Sequence, residues 1–127
     1  MDFSFPKSHR VLRAAEYDRV FKLRQSASDG LVVMYVAPNG LAHPRLGLVV
    51  SRKVGNAVVR NRWKRLLREA FRHTQHRLPA LDLVCLPRGG TTPDLAGLLK
   101  SFEKLPQRAM RTRNSRKKPA PRGAEPS

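Results

Sequence analysis

The side chains with the clearest chemistry in this chain are the cations of residues 51–72, SRKVGNAVVRNRWKRLLREAFR. This segment holds eight Lys or Arg against one Glu. A surface so dense in one sign of charge repels itself unless a polyanion neutralises it. Nucleic acid is therefore the first partner that the segment predicts.

An apolar stripe runs through the same segment at helical spacing. Its members are Val59, Trp63, Leu66, Leu67, Ala70 and Phe71. They fall on one side of a helix with 3.6 residues per turn. Projected at about 100° per residue, Arg68, Asn61, Arg72 and Arg65 lie within about 60° of arc away from the stripe, and Arg60, Arg62 and Lys64 flank them. The pattern predicts a helix that packs through Trp63 and its neighbours and turns a cationic face outward.

The composition of the whole chain supports this interpretation. Its 127 residues suit one domain, and 26 Lys or Arg against 9 Asp or Glu give a net charge of +17. Such a charge favours nucleic acid first and an anionic membrane surface second. No apolar run reaches the ~20 residues of a membrane span, and residues 1–10 lack an apolar signal-peptide core, so a cytoplasmic location is expected. The single cysteine, Cys85, lies in an apolar run and is expected to be buried.

Residues for protein-based catalysis are sparse. His73 and His76 could in principle share a metal, but no Cys, Asp or Glu nearby completes a site, so solvated histidines are favoured. Ser51 lacks a recognisable His and Asp arrangement, and no GxxxxGK loop is present. We expect no catalytic residue and no metal ligand in this chain, and expect a partner to supply any chemistry.

These side chains must be positioned by a small sheet with helices packed on it. The predicted elements are a helix over 12–23, strands over 31–38 and 45–51, the basic helix from 57 to about 73–77, a strand over 81–87 and a helix after 92. A further short strand is expected near 26–28. Residues 81–87 read as a strand buried on both faces.

Turn and cap signals complete this outline. Asn39 and Gly40 favour a positive-φ turn, so 31–38 and 45–51 are predicted to form a hairpin. Thr92 is predicted to cap the last helix. From Pro106 the chain is basic with almost nothing apolar, so 106–127 is predicted to be a disordered tail that either grasps RNA or only adds solubility.

The motifs above resemble one known family. The segment Arg60 to Arg72, RNRWKRLLREAFR, preceded by SRKVGNAVV, closely resembles the signature of the bacterial ribonuclease P protein component. FPKSHRVLRAAEYDRVFK resembles that family's opening segment, and LVVMYVA, RLGLVVS and LDLVCLPR occupy its strand positions. The resemblance covers some 100 of the 127 residues, with residues 1–105 expected to form one RNA-binding domain.

The resemblance implies a fold and a role. The fold would be α/β, an α+β two-layer sandwich similar to ribosomal-protein domains, with a small mostly antiparallel sheet and an unusual left-handed strand-helix-strand crossover. The protein would be a subunit of ribonuclease P, an endoribonuclease that removes the 5′ leader of precursor tRNA. Its partners would be the catalytic RNA and precursor tRNA, with no membrane and no stable protein partner. The cofactor would be magnesium, mainly at the RNA subunit, where the cleavage would also take place.

The resemblance also assigns site residues. Those expected to contact the catalytic RNA are Ser51, Arg52, Lys53, Asn56, Arg60, Asn61, Arg62, Lys64, Arg65 and Arg68. Arginine suits this role because its planar fork binds phosphate oxygens and stacks on bases. Those expected to contact the leader are Tyr17, Phe21 and Tyr35, since stacking of single-stranded bases on aromatic rings tolerates any sequence.

Two other functions use the same residues. A ribosome-associated or assembly RNA-binding protein would use the basic helix without processing, and a nucleoid-like protein would bind duplex DNA with it. The aromatic residues distinguish the first of these from ribonuclease P. An exposed cleft at Tyr17, Phe21 and Tyr35 would support processing, whereas buried rings, the ordinary state of core aromatics, would remove the cleft argument.

Overall fold

A computed structural model describes residues 13–111. The helices are α1 (Ala14–Leu23), α2 (Ala57–Thr74) and α3 (Leu95–Arg111), and the strands are β1 (Ser26–Ser28), β2 (Val32–Pro38), β3 (Arg45–Leu48) and β4 (Leu81–Pro87). Short 3-10 turns at Arg52–Val54 and Gln75–Arg77 flank α2. The predicted order of elements is confirmed, including the short strand at 26–28. Among the described residues, no helix is both long and apolar enough to cross a bilayer.

The four strands form one mixed sheet in the order β1-β2-β4-β3. The pairs β1–β2 and β2–β4 are antiparallel, whereas β3 and β4 are parallel and are joined through α2. The α+β class, the mostly antiparallel sheet and the strand-helix-strand crossover are confirmed. The left hand of that crossover stays a prediction.

The predicted hairpin of 31–38 with 45–51 is wrong, because β4 lies between β2 and β3. The turn itself forms as expected: Gly40 has φ of 68°, and the Asn39 side chain accepts a hydrogen bond from Leu41 N at 2.9 Å. A turn reverses the chain locally but does not determine which strand becomes the neighbour. Here β4, whose residues Leu81 to Cys85 are all buried, takes the central place.

The helices lie on opposite faces of the sheet. Alternate residues of β2 and β4, such as Met34 and Leu83, join the core with α2 and α3. The intervening residues, such as Tyr35 and Val84, join a second cluster with α1. Because successive strand side chains point to opposite faces, α1 covers one face while α2 and α3 cover the other. Cys85 is fully buried, as predicted.

The apolar stripe holds α2 on the sheet. Trp63, Leu67 and Phe71 are fully buried, and the ring of Phe71 meets that of Phe102 on α3 edge-on at 6.0 Å. The core position predicted for Trp63 is confirmed. Val59 is an exception because it remains 37% exposed at the start of the helix, where the core no longer reaches.

Two predictions about α3 are wrong. Its N-terminal cap is Asp94 rather than Thr92, since Asp94 Oδ1 accepts a hydrogen bond from Gly97 N at 2.6 Å. The helix also continues through Pro106 to Arg111, so residues 106–111 are not disordered. Proline removes one helical hydrogen bond, but burial of Leu105, Pro106 and Ala109 compensates for that loss. Residues 112–127 of the predicted tail lie outside the described part of the chain.

A buried carboxylate joins α1 to three strands. Asp82 on β4 accepts hydrogen bonds from Arg45 Nε at 2.8 Å and Nη2 at 2.7 Å, from Arg19 Nη2 at 2.5 Å and from Asn39 Nδ2 at 3.1 Å. Arg45 also pairs with Glu16 on α1 at 2.5 Å. The hydrogen bond to Asp82 is the main cause that raises the pKa of Arg45. These contacts fix the position of α1 on its face of the sheet.

Candidate nucleic-acid interface

The geometry at the start of α2 depends on Gly55 and Asn56. Gly55 has φ of 155°, and a Cβ at this position would lie 2.9 Å from Val59 Cβ, so only glycine fits. Asn56 is the N-cap, and its Oδ1 accepts a hydrogen bond from Val59 N at 3.0 Å. The 3-10 turn before Gly55 carries Arg52 and Lys53. The predicted contact residues of the loop and of the helix therefore adjoin one another.

The predicted RNA-binding residues lie at the surface, as an interface requires. Those that are exposed are Arg52, Lys53, Asn56, Asn61, Arg62, Arg65 and Arg68, and those of intermediate exposure are Ser51, Arg60 and Lys64. We call these ten residues the α2 surface. On α2, Asn61, Arg65 and Arg68 lie opposite Trp63, Arg62 and Lys64 lie on the flanks, and Arg60 lies nearer to Trp63. The other four residues precede the helix, and Asn56 uses its side-chain oxygen for the helix cap.

The cations of the α2 surface form no ion pair with the described part of the chain. Within residues 13–111, no carboxylate lies at ion-pair distance from any of them. Glu69, the one acid of α2, instead binds His73 Nε2 at 3.0 Å and Arg72. Hydrogen bonds from His73 and then Arg72 hold the pKa of Glu69 below its ordinary value. The charge of the α2 surface is therefore left for an external anion.

One side-chain nitrogen of Arg60 also lacks a hydrogen-bond partner among the described residues. This atom, Nε, is buried. A buried guanidinium donor without a partner costs free energy, and a phosphate oxygen could relieve that cost only after the Arg60 side chain moves into the open.

An exposed apolar pair that was not predicted from the sequence lies beside these cations. Val58 is 77% exposed and Val59 37% exposed in the first turn of α2. In an interface with RNA, such side chains can pack on base faces or sugars. The available signal was that Val58 falls outside the apolar stripe and so has no place in the core.

The three predicted leader-binding residues lie together, but they do not form an exposed cleft. Phe21 and Tyr35 are 7% and 5% exposed, and their rings meet edge-on at 5.0 Å. Burial raises the pKa of Tyr35. Rings in this state cannot offer their faces to bases, so the leader cannot stack on them. Leader contact itself stays a prediction.

Tyr17 has a structural task of its own. Its hydroxyl accepts a hydrogen bond from Leu48 N at 3.2 Å, and a Cβ on Gly47 would lie 2.9 Å from that oxygen. Burial raises the pKa of Tyr17, although the hydrogen bond to Leu48 opposes the shift. Tyr17 thus binds α1 to β3, and its ring fills the space that a side chain at position 47 would need.

The described residues offer little to a metal ion. Within 13–111, no group of three His, Cys, Asp or Glu side chains converges. Asp82 and Glu69 already bind cationic side chains, so their oxygens fit magnesium poorly. His73 Nε2 lies 3.0 Å from Glu69 Oε1.

Comparison with known proteins identifies a single family. The Ribonuclease P family model matches residues 5–110. The ribonuclease P protein component of Methylococcus capsulatus is 44% identical over 104 residues, which cover 80% of this chain and 81% of the relative. That of Salmonella arizonae is 41% identical over 110 residues, or 85% of this chain and 92% of the relative.

Solved structures agree with these relatives. The RNase P protein of Staphylococcus aureus superposes with a TM-score of 0.69 at 33% identity, covering 77% of this chain and 94% of the other. The RNase P protein of Thermotoga maritima superposes with a TM-score of 0.58 at 28% identity, covering 86% of this chain and 98% of the other.

Proposed function

This chain belongs to the ribonuclease P protein family and is the protein component of a tRNA-processing ribonuclease, and we propose that it binds the catalytic RNA through the α2 surface. A component of this kind works with the ribonuclease P RNA and precursor tRNA. The ribosome-associated alternative is not favoured, because the relatives are ribonuclease P protein components.

The unpaired charge of the α2 surface is the observation that carries this proposal. Cations such as Arg65 and Arg68 project from a helix whose other side is packed into the core, so the backbone that carries them is fixed before RNA binds. Binding then has to order the side chains but not the helix, which reduces the entropy cost. The exposed apolar pair Val58 and Val59 adds a contact for bases or sugars beside the phosphate contacts.

Cleavage belongs to the RNA subunit in this proposal. The contribution of this chain is to neutralise phosphate charge and to hold the RNA in its active arrangement. Magnesium, the cofactor of the reaction, would be held mainly by the RNA. Two observations support this placement. The positive charge of the α2 surface would repel a magnesium ion, and the carboxylates of Asp82 and Glu69 already bind arginines.

The leader of precursor tRNA would pass over the sheet face that carries α1. Tyr17, Phe21 and Tyr35 would support this path from beneath, by packing α1 on the sheet, rather than by stacking on bases. Half-buried Val33 lies on the same face and offers a point for a probe.

A photocrosslinker on Val33→Cys should label the leader in the assembled enzyme, whereas one on exposed Gln107→Cys should not. Buried Cys85 would not react with the reagent. Equal labelling of the leader from both positions would contradict this path.

The α2 surface is tested by Arg65→Ala combined with Arg68→Ala. The matched control is Arg13→Ala with Lys22→Ala, which removes the same charge from exposed positions at α1, on the other face of the sheet. Each lost phosphate contact lowers the slope of log affinity against log salt by roughly 0.7 to 0.9. We expect the slope for the ribonuclease P RNA to fall by about 1.4 to 1.8 in the first variant alone, with thermal unfolding unchanged. Unaltered RNA affinity at moderate salt would count against the α2 surface.

Precursor tRNA cleavage at low magnesium tests the subunit role directly. The protein, a cognate ribonuclease P RNA and their mixture are assayed separately. The mixture should cleave much faster than the RNA, and the protein should not cleave. Cleavage by the protein alone would contradict the placement of the chemistry in the RNA.

A further inference from the structure

The exposed side of α3 carries a second concentration of positive charge. All four cations of this helix, Lys100, Lys104, Arg108 and Arg111, are exposed. At about 100° per residue they fall within about 80° of arc, and they extend over about 16 Å of the helix axis. We call these four residues the α3 stripe.

The α3 stripe is separate from the α2 surface. On α3, Glu103 lies between the stripe and α2, where its carboxylate is 3.7 Å from Arg77. On the opposite side of the stripe, Lys104 Nζ lies 3.9 Å from Asp29 in the turn between β1 and β2. The stripe therefore follows the β1 edge of the sheet, whereas α2 contacts β3.

Neighbouring acids neutralise little of this charge. Asp29 is already held by Ser101 at 2.6 Å and by Leu31 N and Val32 N at 2.9 and 3.0 Å. Within residues 13–111, no carboxylate oxygen lies within 4.0 Å of a side-chain nitrogen of Lys100, Arg108 or Arg111. The negative end of the helix dipole favours cations only in the last turn, so it accounts for Arg108 and Arg111 but not for Lys100 and Lys104.

We propose that the α3 stripe is a second RNA-binding surface, which contacts backbone phosphates of the ribonuclease P RNA. This inference rests on the proposed function, because it assigns a further surface to the same partner. Lysine and arginine at successive turns of one helix face suit a row of phosphates and read no sequence.

The position of α3 favours the catalytic RNA over precursor tRNA. Helices α2 and α3 pack side by side on one face of the sheet, where Phe71 meets Phe102. A large RNA that covers α2 can continue onto α3 without crossing the sheet. The α1 face, where the leader is proposed to pass, lies on the other side. The sequence after Arg111 adds Arg113, Arg116, Lys117 and Lys118, so the basic character continues where the helix ends.

The test uses the full chain with Lys100→Gln, Arg108→Gln and Arg111→Gln together. Lys104 is left unchanged because it lies near Asp29 and contributes to the fold. The matched control, Arg13→Gln with Lys22→Gln and Arg24→Gln, removes the same charge from exposed positions at α1, off both helices. We expect the salt slope for the ribonuclease P RNA to fall by about 2 to 3 in the α3 variant, and to remain near the wild-type value in the control.

Each other outcome overturns the inference in an identifiable way. Equal losses in the α3 variant and its control would mean that only net charge matters. Unchanged binding to the catalytic RNA with weaker binding of precursor tRNA by the assembled enzyme would assign the stripe to the substrate. Unchanged binding in the α3 variant while Arg65→Ala with Arg68→Ala loses affinity would refute the second surface and leave the proposed function intact. Unchanged binding in both variants would refute the proposed function as well.

Discussion

Replacing Asp82 by asparagine removes the charge that joins α1 to the sheet while keeping the size of the side chain. In the native chain each carboxylate oxygen accepts from two donors: Oδ1 from Asn39 and Arg45, and Oδ2 from Arg19 and Arg45. An amide has one acceptor and one donor end. In either orientation, its nitrogen would face donor groups inside the protein.

The expected loss follows from this geometry. Breaking a buried ion pair from one side typically costs about 3 to 5 kcal/mol. The cost is reduced here because Arg45 keeps Glu16 and because the Arg19 side chain is 41% exposed and can regain water. We therefore expect Asp82→Asn to lower the free energy of unfolding by about 3 kcal/mol. For a domain of this size that corresponds to a fall in Tm of roughly 12 to 24 °C.

Urea unfolding and thermal melting of the two proteins measure this loss. Glu103→Gln is the matched control, because its ion pair with Arg77 is 3.7 Å long and exposed, and such pairs contribute about 0 to 1 kcal/mol. A double-mutant cycle with Arg45→Gln should give a coupling of about 1 kcal/mol or more. If Asp82→Asn were as stable as the control, the network would not be what holds α1 on the sheet.

Two further predictions concern the ends of the sheet and of α3. Asp94→Ala should destabilise the fold by about 1 kcal/mol and Thr92→Ala by less than about 0.5 kcal/mol, as measured by urea unfolding, because Asp94 caps α3; the reverse order would restore Thr92 as the cap. Burial alone would raise the pKa of Asp29, but hydrogen bonds from Ser101, Val32 N and Leu31 N, with Lys104 nearby, hold it below its ordinary value. Ionised Asp29 thus stabilises the fold at neutral pH, and this contribution is lost as pH falls through the lowered pKa. The free energy of unfolding should therefore decrease between about pH 6 and about pH 3 more in the wild type than in Ser101→Ala, and equal decreases would contradict the role of this hydrogen bond.

Local features of the fold could be predicted from the sequence. The spacing of Trp63, Leu67 and Phe71 specifies which side of α2 is buried, because periodicity is a property of a single helix. The positive φ of Gly40 likewise follows from the Asn39–Gly40 pair. The outward position of Asn61, Arg65 and Arg68 was predictable for the same reason, since residues opposite an apolar stripe must face outward.

Features that depend on contacts between distant segments could not be predicted. The insertion of β4 between β2 and β3 is decided by how all four strands pack, and no turn residue specifies it. The burial of Phe21 and Tyr35 depends on where α1 docks, which in turn depends on Arg19 and Arg45 reaching Asp82. One signal was present: Asp82 is the only charged residue in LDLVCLP, and a carboxylate in a buried strand needs a cationic partner.

The contact between Tyr17 and β3 has a consequence for the free protein before RNA binds. Strand β3 lies at an edge of the sheet, and because Val49 N donates to Cys85 O on β4, the backbone of Leu48 turns toward the open side. The Tyr17 hydroxyl occupies the N–H of Leu48 that another chain would otherwise pair with. The opposite edge, β1, is only three residues long. Both edges are thus poor templates for strand addition, which protects a newly made chain from self-association while its RNA is still absent.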